Sequence, residues 1–478
     1  MNKLKLKKII ERTFFAISIL LFVVGYYFNN FNIILCGIML TLINNIAFSL
    51  FNIRENIVFC VFNITFFTLL LSGNVLSMLS GDVWYNKFSD EIEKNTLLLL
   101  FLSLGCIFIG AKIYGICKEH IIKKDVHLNK DKKQIYDKEI IYIRKLTGLA
   151  FFITLIPPII MVIEKIVFIN QNTYLSMYTT FSSKIPFIIQ KLANTNFTFF
   201  MLYLSTFPKK NNTIIATIIY GIYLILSVFT GERGTLVVGT IVLAIYYIYR
   251  QYTFEEKYIS KKNIIIIAII GIVGIIFLSS YNVLRNKEPI ENFNPIKQFK
   301  QFFIDQSTSV DVISNAQKYK EELPETNSNY TFGILINVVL NKDEYISKSN
   351  TLETAMYGNN LGSTLSYLAM GQAFFDGHGM GTQYIAELYT DFSYLGVIIY
   401  NIVLGFSLIA LININNKNYI GFTIGLNLIS NLVYLPRQFA MGWTTLLLSS
   451  TVILSIAMTF IISRIIRRKI ENENSLDS

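Results

Sequence analysis

The chain has 478 residues, 53% of them hydrophobic and only 15% charged, with a mean hydropathy of +0.48, where a soluble domain carries roughly 25% charged residues. Apolar runs of about 20 residues recur from end to end, the length needed to cross a hydrocarbon layer about 30 Å thick, which excludes a soluble protein built around one core. The net charge of +11 does not imply nucleic acid, because the cations gather between the apolar runs instead of forming a basic face interleaved with stacking aromatics.

In chain order, apolar spans are expected at 13–29, 31–51, 57–79, 96–116, 147–169, 187–207, 213–230, 235–250, 263–280, 393–412, 419–435 and 443–462. The fold class that follows is all-α, a polytopic transmembrane bundle of about 12 spans. The basic start, Lys3, Lys5, Lys7 and Lys8 before an apolar run from Thr13, has the order of a signal peptide. No small-x-small cleavage site follows and a second run begins near Phe31, so a retained first helix is expected. Cys36, Cys60, Cys106 and Cys117 all lie in apolar spans or at their inner ends, as buried small hydrophobes.

Starting the first span from the cytoplasm puts most cations inside, as insertion favours. The inner segments then hold Arg12, Arg54, the loop 118–145 with Lys118, Lys123, Lys124, Lys130, Lys132, Lys133, Lys138, Arg144 and Lys145, and the tail with Arg464, Arg467, Arg468 and Lys469. Both termini fall in the cytoplasm. The chain divides into residues 1–280, a bundle of about nine spans, residues 281–392, one large external loop, and residues 393–478, the last spans and basic tail. Within the loop, Tyr330–Leu340 and Leu361–Phe375 are semi-apolar and read as short amphipathic helices on or dipping into the membrane.

Ionisable groups at the outer face are costly and often mark a site. Arg233 stands in Thr230-Gly-Glu-Arg-Gly-Thr235, a short connection where a cation meets the unfavourable end of a helix dipole. Arg285 follows the ninth span, and Arg437 lies in Tyr434-Leu-Pro-Arg-Gln before the last. Each alone is an ordinary interfacial anchor. Three on separate outer connections form a better case for an anionic ligand, since the planar guanidinium fork suits phosphate oxygens. A fourth element, Asp376-Gly-His-Gly-Met-Gly-Thr-Gln-Tyr-Ile-Ala-Glu-Leu-Tyr-Thr-Asp-Phe, contains His378, the only outer histidine, with Glu387 and Asp391 four apart on one helix face. A plain loop histidine and two helix-start acids account for these residues as well as catalysis does. No metal-ligand spacing, P-loop or nucleophile elbow is present in the sequence, so neither metal nor cofactor is expected.

The Thr-Gly-Glu-Arg-Gly turn, Arg285, the Gly379-to-Gly396 block and the late Pro436-Arg437 together resemble the Wzy-type polymerases of O-antigen and capsular polysaccharide, over roughly residues 145–460. Ser393 departs from that pattern, which would have a glycine after Asp-Phe. The resemblance implies a metal-free glycosyltransferase of the bacterial cytoplasmic membrane. Such an enzyme moves a glycan from undecaprenyl pyrophosphate onto a lipid-linked repeat unit at the outer face. It implies membrane lipids and a chain-length regulator as partners. On that reading Arg233, Arg285 and Arg437 bind the pyrophosphate, and His378, Glu387 or Asp391 serves catalysis. A flippase of the same lipid-linked units, a ligase of finished glycan and a non-enzymatic assembly partner are the competing readings. The flippase is disfavoured by the single dominant loop and the absence of internal symmetry.

Overall fold

In hydrocarbon every backbone N–H and C=O must find its partner within the chain, and this protein meets that demand with helices. The computed structural model describes residues 3–121, 130–172, 174, 176–231, 233–258, 271–277, 279–280, 294–327, 329–340, 350–414 and 418–476. It is 82% helical, with no strand among the described residues. Seven described helices are long and apolar enough to cross a membrane: Phe31–Leu50, Ile53–Ser80, Asp90–Lys118, Lys138–Gln171, Lys210–Val228, Tyr384–Asn413 and Ser450–Asn472. The protein is therefore a helical membrane bundle.

Several expected spans differ in detail. The 187–207 span is two pieces, Phe187–Ala193 and Asn196–Ser205. The last span begins at Ser450, because Gly442–Thr444 and Thr445–Leu448 form short separate turns. The expected 393–412 span runs back to Tyr384 through a kink at Ser393. Half of the expected 263–280 span lies outside the described residues.

Residue contacts divide the chain into two compact units, each assembled from separated stretches. The first comprises residues 1–114, 243–410 and 431–443. Its helices meet through buried amides and close backbone approach. Asn45, fully buried, donates through Nδ2 to Asn63 Oδ1 and to the Leu104 carbonyl, both at 3.1 Å. Polar side chains of this kind hold membrane helices together where no hydrophobic force can. The 90–121 and 384–414 helices cross at two glycines: a Cβ on Gly110 would lie 2.0 Å from the Ile402 oxygen, and one on Gly405 would lie 2.0 Å from the Ile107 oxygen.

The long connection between the ninth and tenth expected spans folds into this unit. Asn294 caps the helix Pro295–Ser307 by accepting from the N–H groups of Ile296 and Lys297. That helix packs on Phe67–Ser80, where the backbone passes through one π turn, Phe67–Leu71, and Ser72 Oγ donates to the Phe303 carbonyl at 2.9 Å. The next helix, Asp311–Lys318, sits on the start of the 90–121 helix through Thr96–Ser314 (2.9 Å) and Asn95–Gln317 (2.7 Å). Of the two semi-apolar stretches, Gly333–Val339 leaves Phe332, Val339 and Leu340 exposed, as an amphipathic helix does. Leu361–Met370 does not. Its first six residues are buried, and Thr364 donates to the Ala355 carbonyl at 2.7 Å, because small side chains allow the helix to pack inside the connection.

The second unit comprises residues 115–242, 411–430 and 444–478. Its axis is the helix Lys130–Gln171, against which Asn196–Ser205 and Ser450–Leu476 pack around Ile143, Leu202 and Tyr419. Asn196 Nδ2 donates to the Phe151 carbonyl at 3.0 Å, and Thr423 bonds Ser205 at 2.9 Å. Near the basic end, buried Glu139 accepts two hydrogen bonds from Arg467, at 2.7 and 2.9 Å. Arg144 donates to the Thr206 carbonyl at 2.6 Å, a cation at a helix C-terminus.

Two substitutions test this packing. Gly405→Leu forces the 90–121 and 384–414 helices apart and is expected to destabilise the protein by about 1–3 kcal/mol, as overpacking does. Ser393 has φ +54° and ψ −151°, a region open essentially to glycine alone. Ser393→Gly is therefore expected to stabilise by about 1 kcal/mol, the relieved strain less glycine's entropy cost. Melting temperatures in detergent check both; a lower melting temperature for Ser393→Gly would show that the kink is unstrained.

Candidate functional site

The block from Asp376 to Asp391 is a chain of turns leading into the 384–414 helix. Gly377 (φ +98°) and Gly381 (φ +74°) supply the left-handed conformations that the turns need. The Asn350 side chain donates to the carbonyls of Phe374 (2.6 Å) and His378 (2.8 Å), and Ser366 Oγ accepts from the Met380 N–H at 2.9 Å. This pins the backbone around His378 and leaves its side chain exposed. The imidazole makes no hydrogen bond among the described residues.

Gln383 opens the helix by accepting from the Ala386 N–H at 2.8 Å. One turn later stands Glu387, with no exposed surface. Both of its oxygens are engaged: Thr382 Oγ1 donates to Oε1 at 2.6 Å and the Ala440 N–H donates to Oε2 at 2.7 Å. Asp391, four residues on, accepts from the N–H groups of Tyr330 (3.2 Å) and Thr331 (2.6 Å). The two acids share a helix as the spacing predicts, and each ties a different segment to it.

The segment held by Glu387 carries Arg437. A single turn, Leu435–Arg437, with Pro436 at its start, projects that arginine. Its guanidinium is half-buried and donates through Nη1 to Gln306 Oε1 at 3.3 Å. Among the described residues it pairs with no carboxylate, and only one of its five N–H donors is engaged by a side chain. Beyond the turn, the Ala440 carbonyl accepts from the Tyr400 hydroxyl, which in turn accepts from Trp443 Nε1 at 3.0 Å.

The structure thus brings Glu387 and the Arg437 segment together through Ala440. Arg233 belongs to the second unit. It follows Gly231 (φ +81°), and its carbonyl accepts from the Val237 N–H at 3.2 Å, so it opens the helix Gly234–Phe254 as a cation at the positive end of the dipole. Arg285 lies outside the described residues. Sequence reasoning missed Thr382, Tyr400, Trp443 and Gln306. Three of these sit near motif residues, and one is among only two tryptophans of the chain, but nothing in the pattern marks their pairing. Among the described residues no group of three or more His, Cys, Asp or Glu side chains is arranged to hold a metal ion.

The arrangement separates the polar residues by what remains available. The two carboxyl groups order main chain. Among the described residues Arg437 and His378 keep most of their hydrogen-bonding capacity, the first as a half-buried guanidinium and the second as an exposed imidazole.

The model of one protein family, described as O-antigen polysaccharide polymerase Wzy, matches residues 10–469, nearly the whole chain. No curated protein and no solved structure matches it. With an all-helical membrane bundle and a match of that extent, the chain belongs to the Wzy family, polymerases of O-antigen repeat units that act on lipid-linked oligosaccharides in membranes.

Proposed function

We propose that this protein lengthens a polysaccharide at the outer face of a bacterial cytoplasmic membrane. The growing chain is taken from undecaprenyl pyrophosphate and transferred onto one lipid-linked repeat unit. The observation that carries the reading is Arg437: a half-buried guanidinium on a tight turn, with one neutral side-chain partner and no carboxylate among the described residues, in a polymerase of this family.

In the transfer, an acceptor sugar hydroxyl attacks the anomeric carbon of the donor. The new C–O bond forms as the bond to the pyrophosphate oxygen breaks, and the electron pair leaves with undecaprenyl pyrophosphate. Negative charge grows on that oxygen, and a preorganised cation stabilises it most where water is scarce. Arg437 has that role. Arg233 and Arg285 are candidates for the same chemistry on sequence grounds, each to be tested by its own variant. The hydroxyl proton goes to the His378 imidazole, which stands exposed on a backbone held by Asn350. Both termini lie in the cytoplasm, a chain-length regulator is the expected protein partner, and capsular polysaccharide is an alternative product of the same chemistry.

Arg437→Ala is expected to lower polymerisation about 10²–10³-fold, the scale of losing one charge-stabilising donor, and His378→Ala about 10²–10⁴-fold. Lipid-linked repeat units extracted from a deletion strain, incubated with purified protein and sized on gels, read both; a full-length ladder from either variant removes that residue from the mechanism. In the deletion strain itself, single repeats reaching the surface support polymerisation. Long chains stranded on the carrier would mean ligation, and single units trapped inside would mean flipping. A reporter at residue 478 active only in the cytoplasm, with a tag within 342–348 accessible from outside, is the expected topology.

A further inference from the structure

We infer that Glu387 is a positioning residue for Arg437, acting through the main chain of Ala440 and not as the base for the acceptor hydroxyl. The inference rests on the reading of Arg437 above. A general base must come within hydrogen-bond reach of the proton it takes. Glu387 has no exposed surface, and both of its oxygens are already engaged, one by Thr382 Oγ1 and one by the Ala440 N–H. It is a costly group to bury. A polar group placed inside a protein is retained at lowest cost when its partners are fixed, and here they are.

What it fixes is the far end of the arginine turn. Both main-chain polar groups of Ala440 are held by side chains of the 384–414 helix: the N–H by Glu387 and the carbonyl by the Tyr400 hydroxyl. These two side chains stand on opposite sides of the Ser393 kink, so the bent helix grips one residue from two directions. Only Gln438, in an extended conformation, and Phe439 separate that grip from Arg437, and the turn that carries Arg437 is itself closed by the bonds Arg437 N–H to the Tyr434 carbonyl and Gln438 N–H to the Leu435 carbonyl, both 3.0 Å. A shift at Ala440 therefore reaches the guanidinium with little loss. Misplacement of a catalytic group by about 1 Å can cost about 10²-fold in rate.

The chemistry of the grip separates this role from catalysis. In Glu387→Gln the amide oxygen accepts from Ala440 and the amide nitrogen donates to Thr382, so the geometry survives while a proton acceptor is lost. Glu387→Ala removes both. The test uses the purified full-length protein and lipid-linked repeat units extracted from a deletion strain. Expected are at least about a third of the wild-type turnover with an unchanged pH profile for Glu387→Gln, and a fall of about 10–100-fold for Glu387→Ala, the range set by such a displacement. In the Arg437→Ala background, Glu387→Ala should cost less than about 3-fold more, because a residue acting through another has nothing left to position. Tyr400→Phe, which keeps the ring and loses the hydroxyl, reads the same coupling if Glu387→Ala fails to fold.

Glu387→Gln as inactive as Glu387→Ala would make the carboxyl group itself a participant and overturn the proposal. So would losses that multiply fully with Arg437→Ala. If Arg437→Ala polymerises normally, the failure lies in the role given to Arg437; if that variant is impaired and only the coupling is missing, it lies in the positioning role alone.

Discussion

The first unit depends on a carboxyl group buried where water cannot reach it. Glu387 would be a heavy burden in a helix of this apolarity if either oxygen were unmatched. Its two partners come from opposite directions in sequence, Thr382 just upstream and Ala440 more than fifty residues downstream. Satisfying it therefore settles the path of both segments. The helix kink at Ser393, the Tyr400 hydroxyl on the Ala440 carbonyl and the Trp443 indole on Tyr400 all follow the same contact. Local strain at a non-glycine residue persists only where its surroundings over-determine it, and the grip on Ala440 is such a surrounding.

A second consequence concerns the long connection. Its helices are fastened by short polar contacts to the membrane helices and the loop between them: Ser72 to Phe303, Thr96 to Ser314, Asn95 to Gln317, and Lys87 of the loop before Asp90 to Asp311 at 3.0 Å. None of these pairs is strong alone, and the exposed ion pair contributes little. Their number matters, because each fixes a helix of only two or three turns that would not hold its shape in isolation. Gln306, the partner of Arg437, sits at the end of one such helix, Pro295–Ser307, which packs on the π turn at Phe67–Leu71. Irregular turns of this kind recur at functional sites.

In the proposed mechanism, the division between polar groups that build and polar groups that remain available links this architecture to polymer synthesis. Asp391 and Glu387 hold backbone. Arg437 is left with most of its donors, and His378 with its ring. An enzyme that transfers a sugar from a pyrophosphate needs one fixed cation for the leaving group and one proton acceptor for the hydroxyl, and little covalent chemistry of its own.

The sequence by itself determined the solvent and the class of fold. Apolar runs of span length force helices in lipid whatever the tertiary arrangement, and the loop signs, the turn glycines and the i, i+4 acids are local properties readable from spacing. Short motifs sufficed to suggest the family. Only the tertiary structure decided which charged residues are occupied. That Glu387 meets the N–H of Ala440, that Asp391 meets residues 330–331, and that Gln306 reaches Arg437 depend on long-range contacts that leave no periodic trace. The misplaced boundaries have a local reason instead. Mean hydropathy over 187–207 and 443–462 suits a span, but short polar runs, Asn194-Thr195-Asn196 and Ser449-Ser450-Thr451, stand where the backbone breaks, at Asn194 and at Ser449. Ser393 stands between the two cases. Its departure from the glycine of the family pattern was legible in one dimension, but the positive φ that makes the departure costly exists only in the folded helix.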